Sequence, residues 1–226
     1  MQTSVIDLTQ LDPAIAQQIQ DLLSSASPQQ EPKKRKGRKL PKVLSDEQVQ
    51  QLFKGINPRY HNGVRHRAAF ESMYRAGLRV SEVCNLVPAD VDLSKGMLHV
   101  QDSKNGTDRN IPIGDTLINW LRRWDEIRPE SDYFFCTRNG GRLDERYLKH
   151  VIKRVSEKTG VYLQEGLEKR TVHTHNFRHT FATRMLEQGF NIREVQELLG
   201  HRNLSTTMIY TSVSMNHLDA KIKALG

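Results

Sequence analysis

Ten residues, KKRKGRKLPK at positions 33–42, divide this chain of 226 residues and limit what can fold on either side of them. Seven of the ten are Lys or Arg, so the block repels itself and has almost nothing to bury. Residues 1–32 hold Asp7, Asp12, Asp21 and Glu31 and no Lys or Arg. They offer one short amphipathic helix: Asp12 as N-cap, Pro13 at the first helical position, then Ile15, Ile19, Leu22 and Leu23 on one face. One such helix cannot form a core, and residues 24–32 (SSASPQQEP) read as a polar linker. A hydrophobic core must therefore come from residues 43–226.

The basic block itself reads in two ways. It is a solvated linker or nuclear address, or a tether that lays Lys33, Lys34, Arg35, Lys36, Arg38 and Lys39 along DNA. Phosphate contacts of that kind release counterions, so the binding weakens with salt.

Beyond the block, helical periodicity dominates. SDEQVQQLF opens with a capping box, Ser45 to Gln48. A helix through RHRAAFESMYRAG is expected to stop at Gly77, and a short one to start near Val80. Two strand-like pieces follow, MLHVQ (97–101) and NIPI (110–113), with Asn105–Gly106 as a hairpin signal between them. Helices are then predicted in TLINWLRRWDEI, DERYLKHVIKRVSEKTG, NFRHTFATRMLEQG and NIREVQELLG. A short helix around Thr206–Tyr210 and a last one bearing Leu218, Ile222 and Leu225 close the chain. The fold class is mostly α with a small antiparallel β-sheet, an α+β domain.

Composition excludes several function classes. No run approaches the ~18 apolar residues of a membrane span, and the N-terminus lacks the pattern of a secretory signal. Cys84 and Cys136 have no zinc-type spacing, which favours a reducing, cytoplasmic setting, associated with the nucleoid if the host is a prokaryote. The net charge of +8 favours an anionic partner.

Four places carry residues suited to phosphate chemistry. In HTHNFRHTFATRM, a helix starting near Thr174 puts His175 and Arg178 on neighbouring positions of its first turns, where free N–H groups favour an anion. Phe177, Phe181 and Met185 form the core stripe of that helix. A capped helix with solvated side chains explains the same pattern, and His175 with His179 also has zinc-like spacing, though without the HExxH glutamate. In RAGLRVSEVCNL, Arg79 follows a helix-ending glycine, and Glu82 is placed to hold its guanidinium. Lys104 sits at a hairpin tip, solvated or reaching into a site. In ELLGHRNLSTTMIYT, His201 follows Gly200, and Tyr210 lies nine residues on. A reactive tyrosine needs cations beside a phosphate, because its free pKa is ~10.

Taken in order, Arg79, Lys104, His175, Arg178, His201 and Tyr210 resemble the tyrosine recombinase (phage integrase) family. The matching stretches are AGLRVSEV, SKNGTDRNIPI, HNFRHTFAT and LLGHRNLSTTMIYT, the last two similar to the Xer and integron-integrase branches. The resemblance covers residues 40–226 and implies a DNA-cleaving and rejoining catalytic domain. It implies Tyr210 as nucleophile on a DNA phosphodiester, forming a 3′-phosphotyrosine and releasing a 5′-hydroxyl. Arg79, Arg178 and His201 would bind the non-bridging oxygens, Lys104 would protonate the leaving oxygen, and His175 would accept or orient the phenol proton. Glu82 would support the arginines. No metal or cofactor is implied. The partners implied are double-stranded DNA and further copies of the chain on DNA, with a monomer off DNA.

Two departures stand out. The family's N-terminal core-binding domain is expected to be missing, and SKNG replaces the usual GKGN-like turn around Lys104. Three other readings remain open at this point. They are a DNA-binding accessory protein of the same fold, a type IB topoisomerase-like nicking-closing enzyme, and a metal-dependent nuclease using Asp90, Asp92 and Asp102.

Overall fold

The computed structural model describes residues 42–101, 108–165, 167–200 and 207. The chain divides into two units, 1–38 and 39–226, and every described residue belongs to the second. The expected helix after Asp12, the Asn105–Gly106 turn and the closing helices lie outside the described residues, apart from Thr207, which is helical and buried.

The element order is α1 (Asp46–Lys54), α2 (His61–Arg75), α3 (Val80–Asn85), a 3-10 turn (Pro88–Asp90), β1 (Val91–Asp92), β2 (Met97–Val100) and β3 (Arg109–Pro112). Then come α4 (Asp115–Asp125), α5 (Glu145–Thr159), β4 (Tyr162–Glu165), β5 (Glu168–Thr171), α6 (Thr174–Glu187) and α7 (Ile192–Leu199). The architecture is mostly helical with small antiparallel sheets, as the periodicity predicts. Among the described residues, no helix is long and apolar enough to cross a membrane.

Local chemistry fixes the helix starts. Ser45 Oγ accepts the Gln48 backbone N–H while Gln48 Oε1 accepts that of Ser45, so two orphan donors of α1 are satisfied. Asn191 and Glu194 repeat the arrangement at α7.

Helix α2 is the centre, packed against α4 and α6. Its run from Ala68 to Tyr74 is buried on all sides, as suits a helix surrounded by others. Phe177 of α6 stacks on Phe53 of α1 and Phe70 of α2, at centroid distances of 5.8 and 5.7 Å. Trp124 of α4 is fully buried and donates its indole N–H to the Phe134 carbonyl at 2.8 Å. A second cluster joins Phe181, Ala182 and Leu186 of α6 to Val195 and Leu199 of α7. Met185, expected on the core stripe, is only half-buried, and Leu186 fills that place because α7 covers a second face of α6.

Strand β2 pairs antiparallel with both β1 and β3, with Leu98 opposite Ile111 and Val100 opposite Arg109. The β4–β5 hairpin was not signalled by the sequence pattern. Its strands are largely exposed and charged, and it is held by buried Val161, Leu163 and Val172. Ser156 of α5 pins its base, donating to the Val161 carbonyl and accepting the Val172 N–H. Both cysteines are free and buried, and burial pushes the Cys84 thiol up to about 12.

Candidate active site

The site begins at a turn. Gly77 adopts φ +66°, a conformation that side chains disfavour, and a Cβ there would meet the Phe181 ring at 2.5 Å. Leu78 is buried and anchors the turn. Arg79 therefore emerges in extended conformation as the residue that opens α3 (φ −72°, ψ 154°). Three residues on, Glu82 reaches back. Its Oε2 accepts the Arg79 backbone N–H at 2.7 Å, and its Oε1 accepts from Arg79 Nη1 at 2.6 Å.

The same carboxylate gathers two more arginines. Arg109, the first residue of β3, makes a forked pair with Glu82: Nη1 to Oε1 at 3.1 Å and Nη2 to Oε2 at 2.9 Å. Arg178 of α6 brings Nη1 to 3.7 Å from Glu82 Oε2. Burial raises the Glu82 pKa, but the hydrogen bond and charge of Arg109, then Arg178 and the Arg79 N–H, outweigh it and hold the group below the ordinary carboxylate value. The side chains of Arg109 and Arg178 are 8% and 7% exposed, and that of Arg79 is 28% exposed. Arg79 is the most exposed of the three.

The end of α7 completes the cluster. Three successive carbonyls each accept from a different arginine. Leu198 O accepts from Arg109 Nε at 2.9 Å, Leu199 O from Arg178 Nη2 at 2.5 Å, and Gly200 O from Arg79 Nη2 at 3.5 Å. Arg178 Nη1 also donates to the Gly77 carbonyl at 2.5 Å, which ties α6 to the turn before Arg79. These carbonyls form the negative end of the α7 dipole, a natural seat for cations. Gly200 has φ +63°, and a Cβ there would meet the Arg109 guanidinium at 2.8 Å.

His175, in the first turn of α6, is exposed to solvent. Its pKa is lowered first by the surrounding protein and then by the charges of Lys149, Arg178, Arg79 and His173. The shift favours the neutral imidazole, the form that can accept a proton.

Of the residues singled out in the sequence, the structure brings together Arg79, Glu82 and Arg178, with His175 in their electrostatic neighbourhood. Lys104, His201, Tyr210 and the basic block at Lys33, Lys34, Arg35, Lys36, Arg38 and Lys39 lie outside the described residues. Arg178, read from sequence as lying on a polar first turn, is buried instead. Asp90 accepts from the Gln101 side chain at the end of β2, Asp92 accepts from Ser94 and Lys95 within a local turn, and Asp102 lies outside the described residues. Among the described residues, no group of three His, Cys, Asp or Glu is placed to hold a metal ion.

Sequence reading missed Arg109. A signal existed: Arg109 and Ile111 share one face of β3, and Ile111 is buried, so a charged side chain on that face demands an acid partner.

Comparison with known proteins agrees with this geometry. Residues 42–217 match the phage integrase family. The tyrosine recombinase XerA of Thermococcus kodakarensis is 42% identical over 185 residues, covering 80% of this chain and 61% of the relative. The chain thus spans about three fifths of the length of the curated relatives it matches. A crystal structure of XerA recombinase superposes with TM-score 0.68 at 28% identity, covering 82% of this chain and 65% of that one. XerH recombinase, in a post-cleavage complex with its palindromic difH substrate, also gives 0.68, at 26% identity, covering 84% of this chain and 54% of that one. A match over most of the chain, with relatives about 40% identical and a fold shared with these recombinases, leads to one assignment: this chain belongs to the phage integrase family.

Proposed function

We propose that the chain is a site-specific DNA recombinase that cuts and rejoins strands through a 3′-phosphotyrosine at Tyr210. The observation that carries this reading is the convergence of Arg79 and Arg178, from separate helices, on the single buried carboxylate of Glu82. Phosphoryl transfer needs positioning and charge stabilisation above all, and a fixed guanidinium pair supplies both.

In this mechanism Arg79 and Arg178 bind the non-bridging oxygens of the scissile phosphate, and His201 adds a hydrogen bond to them. The Tyr210 oxygen attacks phosphorus as His175 takes its proton. The bond from phosphorus to the 5′-oxygen breaks, and Lys104 protonates that oxygen as it leaves. Rejoining runs in reverse: a 5′-hydroxyl from a partner strand attacks phosphorus and the tyrosine departs. The phosphotyrosine keeps the bond energy, so the cycle calls for no ATP, metal or cofactor. XerH, a site-specific recombinase bound to its palindromic difH substrate in a post-cleavage complex, supports a double-stranded DNA site as the substrate here. In the same reading residues 43–226 form the catalytic domain, copies assemble on DNA, and residues 33–42 follow the phosphate backbone. The protein then works where chromosomal DNA lies, in the cytoplasm or nucleoid.

A suicide DNA substrate tests the reading, with EDTA present. The expected result is a covalent protein–DNA adduct that Tyr210→Phe abolishes, together with joining of strands from two duplexes. Adduct without such joining would make the chain a nicking-closing enzyme, and binding without adduct an accessory protein.

A further inference from the structure

We propose that Arg109 is a positioning residue for strand cleavage, acting through Glu82 and through the Leu198 carbonyl. The inference rests on the cleavage reading above and assigns to β3 a part that none of the motif residues supplies.

Glu82 is nearly buried, with a side chain 6% exposed, and it faces Arg79 and Arg178. Left to those two alone, the carboxylate would compete with a substrate phosphate for the same guanidiniums. Arg109 alters that competition. Its two terminal nitrogens occupy both Glu82 oxygens, so Glu82 pins Arg79 without claiming its whole charge. The third donor, Nε, holds Leu198 O at 2.9 Å. Leu198 lies three residues before His201, so the same side chain fixes where the chain leaves α7. Arg109 therefore joins three parts: the start of β3, the carboxylate behind the arginine pair, and the last turn of α7.

Lysine cannot replace it. One guanidinium makes all three bonds in a fixed fork, whereas an ammonium is a single point charge. The close packing of Gly200 against Arg109 shows how little room the arrangement leaves for movement.

The experiment uses the full chain and measures single-turnover adduct formation on a suicide substrate at saturating protein, alongside DNA affinity and Tm. A misplacement of about 1 Å at a reacting centre can cost on the order of 10²-fold, so R109K and R109M are each expected to slow adduct formation by ~10–100-fold. DNA affinity should stay within about twofold, because the change falls on the reacting phosphate and not on the other backbone contacts. E82Q combined with R109M should be no slower than the slower single variant, since both act through one carboxylate. Adduct rates near wild type in R109K, or losses that multiply in the double variant, would overturn the proposal. If R109M fails to fold, R109K against wild type decides, because it keeps the charge and loses only the fork. A wild-type chain that forms no adduct removes the cleavage reading itself, and this proposal with it. Adduct in wild type with an unaffected R109K removes this proposal alone.

Discussion

Two buried glutamates, eleven residues apart in sequence, gather arginines in opposite ways. Glu71 is fully buried in the middle of α2 and pairs with Arg67 at 2.8 Å and Arg75 at 2.6 Å, one turn before and one turn after it on the same helix. Arg67 is sealed in place, its guanidinium 3.9 Å from the Phe53 ring centroid and 4.8 Å from that of Trp120. Glu82 takes its arginines from three elements. The first group is a brace within one helix, with Arg67 laid over two aromatic rings. The second is a junction that ties the start of α3, β3 and α6 to one carboxylate. Burial and ion pairing are common to both. What separates them is how many chain segments meet: one helix at Glu71, three elements at Glu82.

The contrast is broken most sharply at the arginines. Arg178→Ala should cut the adduct rate by about 10²–10³-fold, the usual effect of losing one transition-state donor. Arg67→Ala should leave that rate near wild type below its Tm and lower only the Tm. Equal rate losses in single-turnover assays of the two variants would erase the distinction.

The glutamates give the next largest effect. Glu71→Gln leaves two arginines on α2 without their shared charge, and breaking a buried pair costs about 3–5 kcal/mol. In a domain of this size each kcal/mol moves Tm by about 2–4 °C, so the melting temperature should fall by roughly 6–20 °C. Glu82→Gln should lower both Tm and adduct rate. A Glu71→Gln variant that melts like wild type would contradict the brace.

Acid should separate the regions more gently. Burial lowers the pKa of His66 to about 4, helped by the charges of Arg65 and Arg154, and that of His179 to about 4, helped by those of His175 and Arg178. A folded-state value below the unfolded ~6.5 means that the neutral imidazole favours the fold. Their contribution is complete above pH ~6.5 and is lost as pH falls toward ~4. Glu82, also lowered, contributes above ~4.3 and loses its share only as pH drops through its folded-state value. Tm should therefore hold steady from pH 8 to 7 and decline between pH 6.5 and 4. His66→Gln and His179→Gln should each flatten part of that decline, and an unchanged slope in both would refute the assignment.

Much of the fold was legible because its signals are local. The Ser45–Gln48 box, the stop near Gly77 and the helix closing at Gly200 all depend on residues within a few positions of each other. The β4–β5 hairpin was not legible. Its strands carry Glu168, Lys169 and Arg170 outward, and its anchor is a serine on the preceding helix. The site divides along the same line. Arg79 and Glu82 are three residues apart and could be paired on paper, whereas Arg109 and Arg178 reach Glu82 only through tertiary packing. The brace at Glu71 has the opposite status: its i, i+4 spacing is plain in the sequence, but nothing there says that rings cover it.

The bare Cα of Gly77 sits against Phe181, one turn along α6 from Arg178, while its carbonyl receives that same arginine. The turn that aims Arg79 and the helix that bears Arg178 are thus spaced by a hydrogen against a ring. The distance between the two cationic jaws is set like the gap of a caliper, by the smallest side chain available, and the jaws cannot be reset independently.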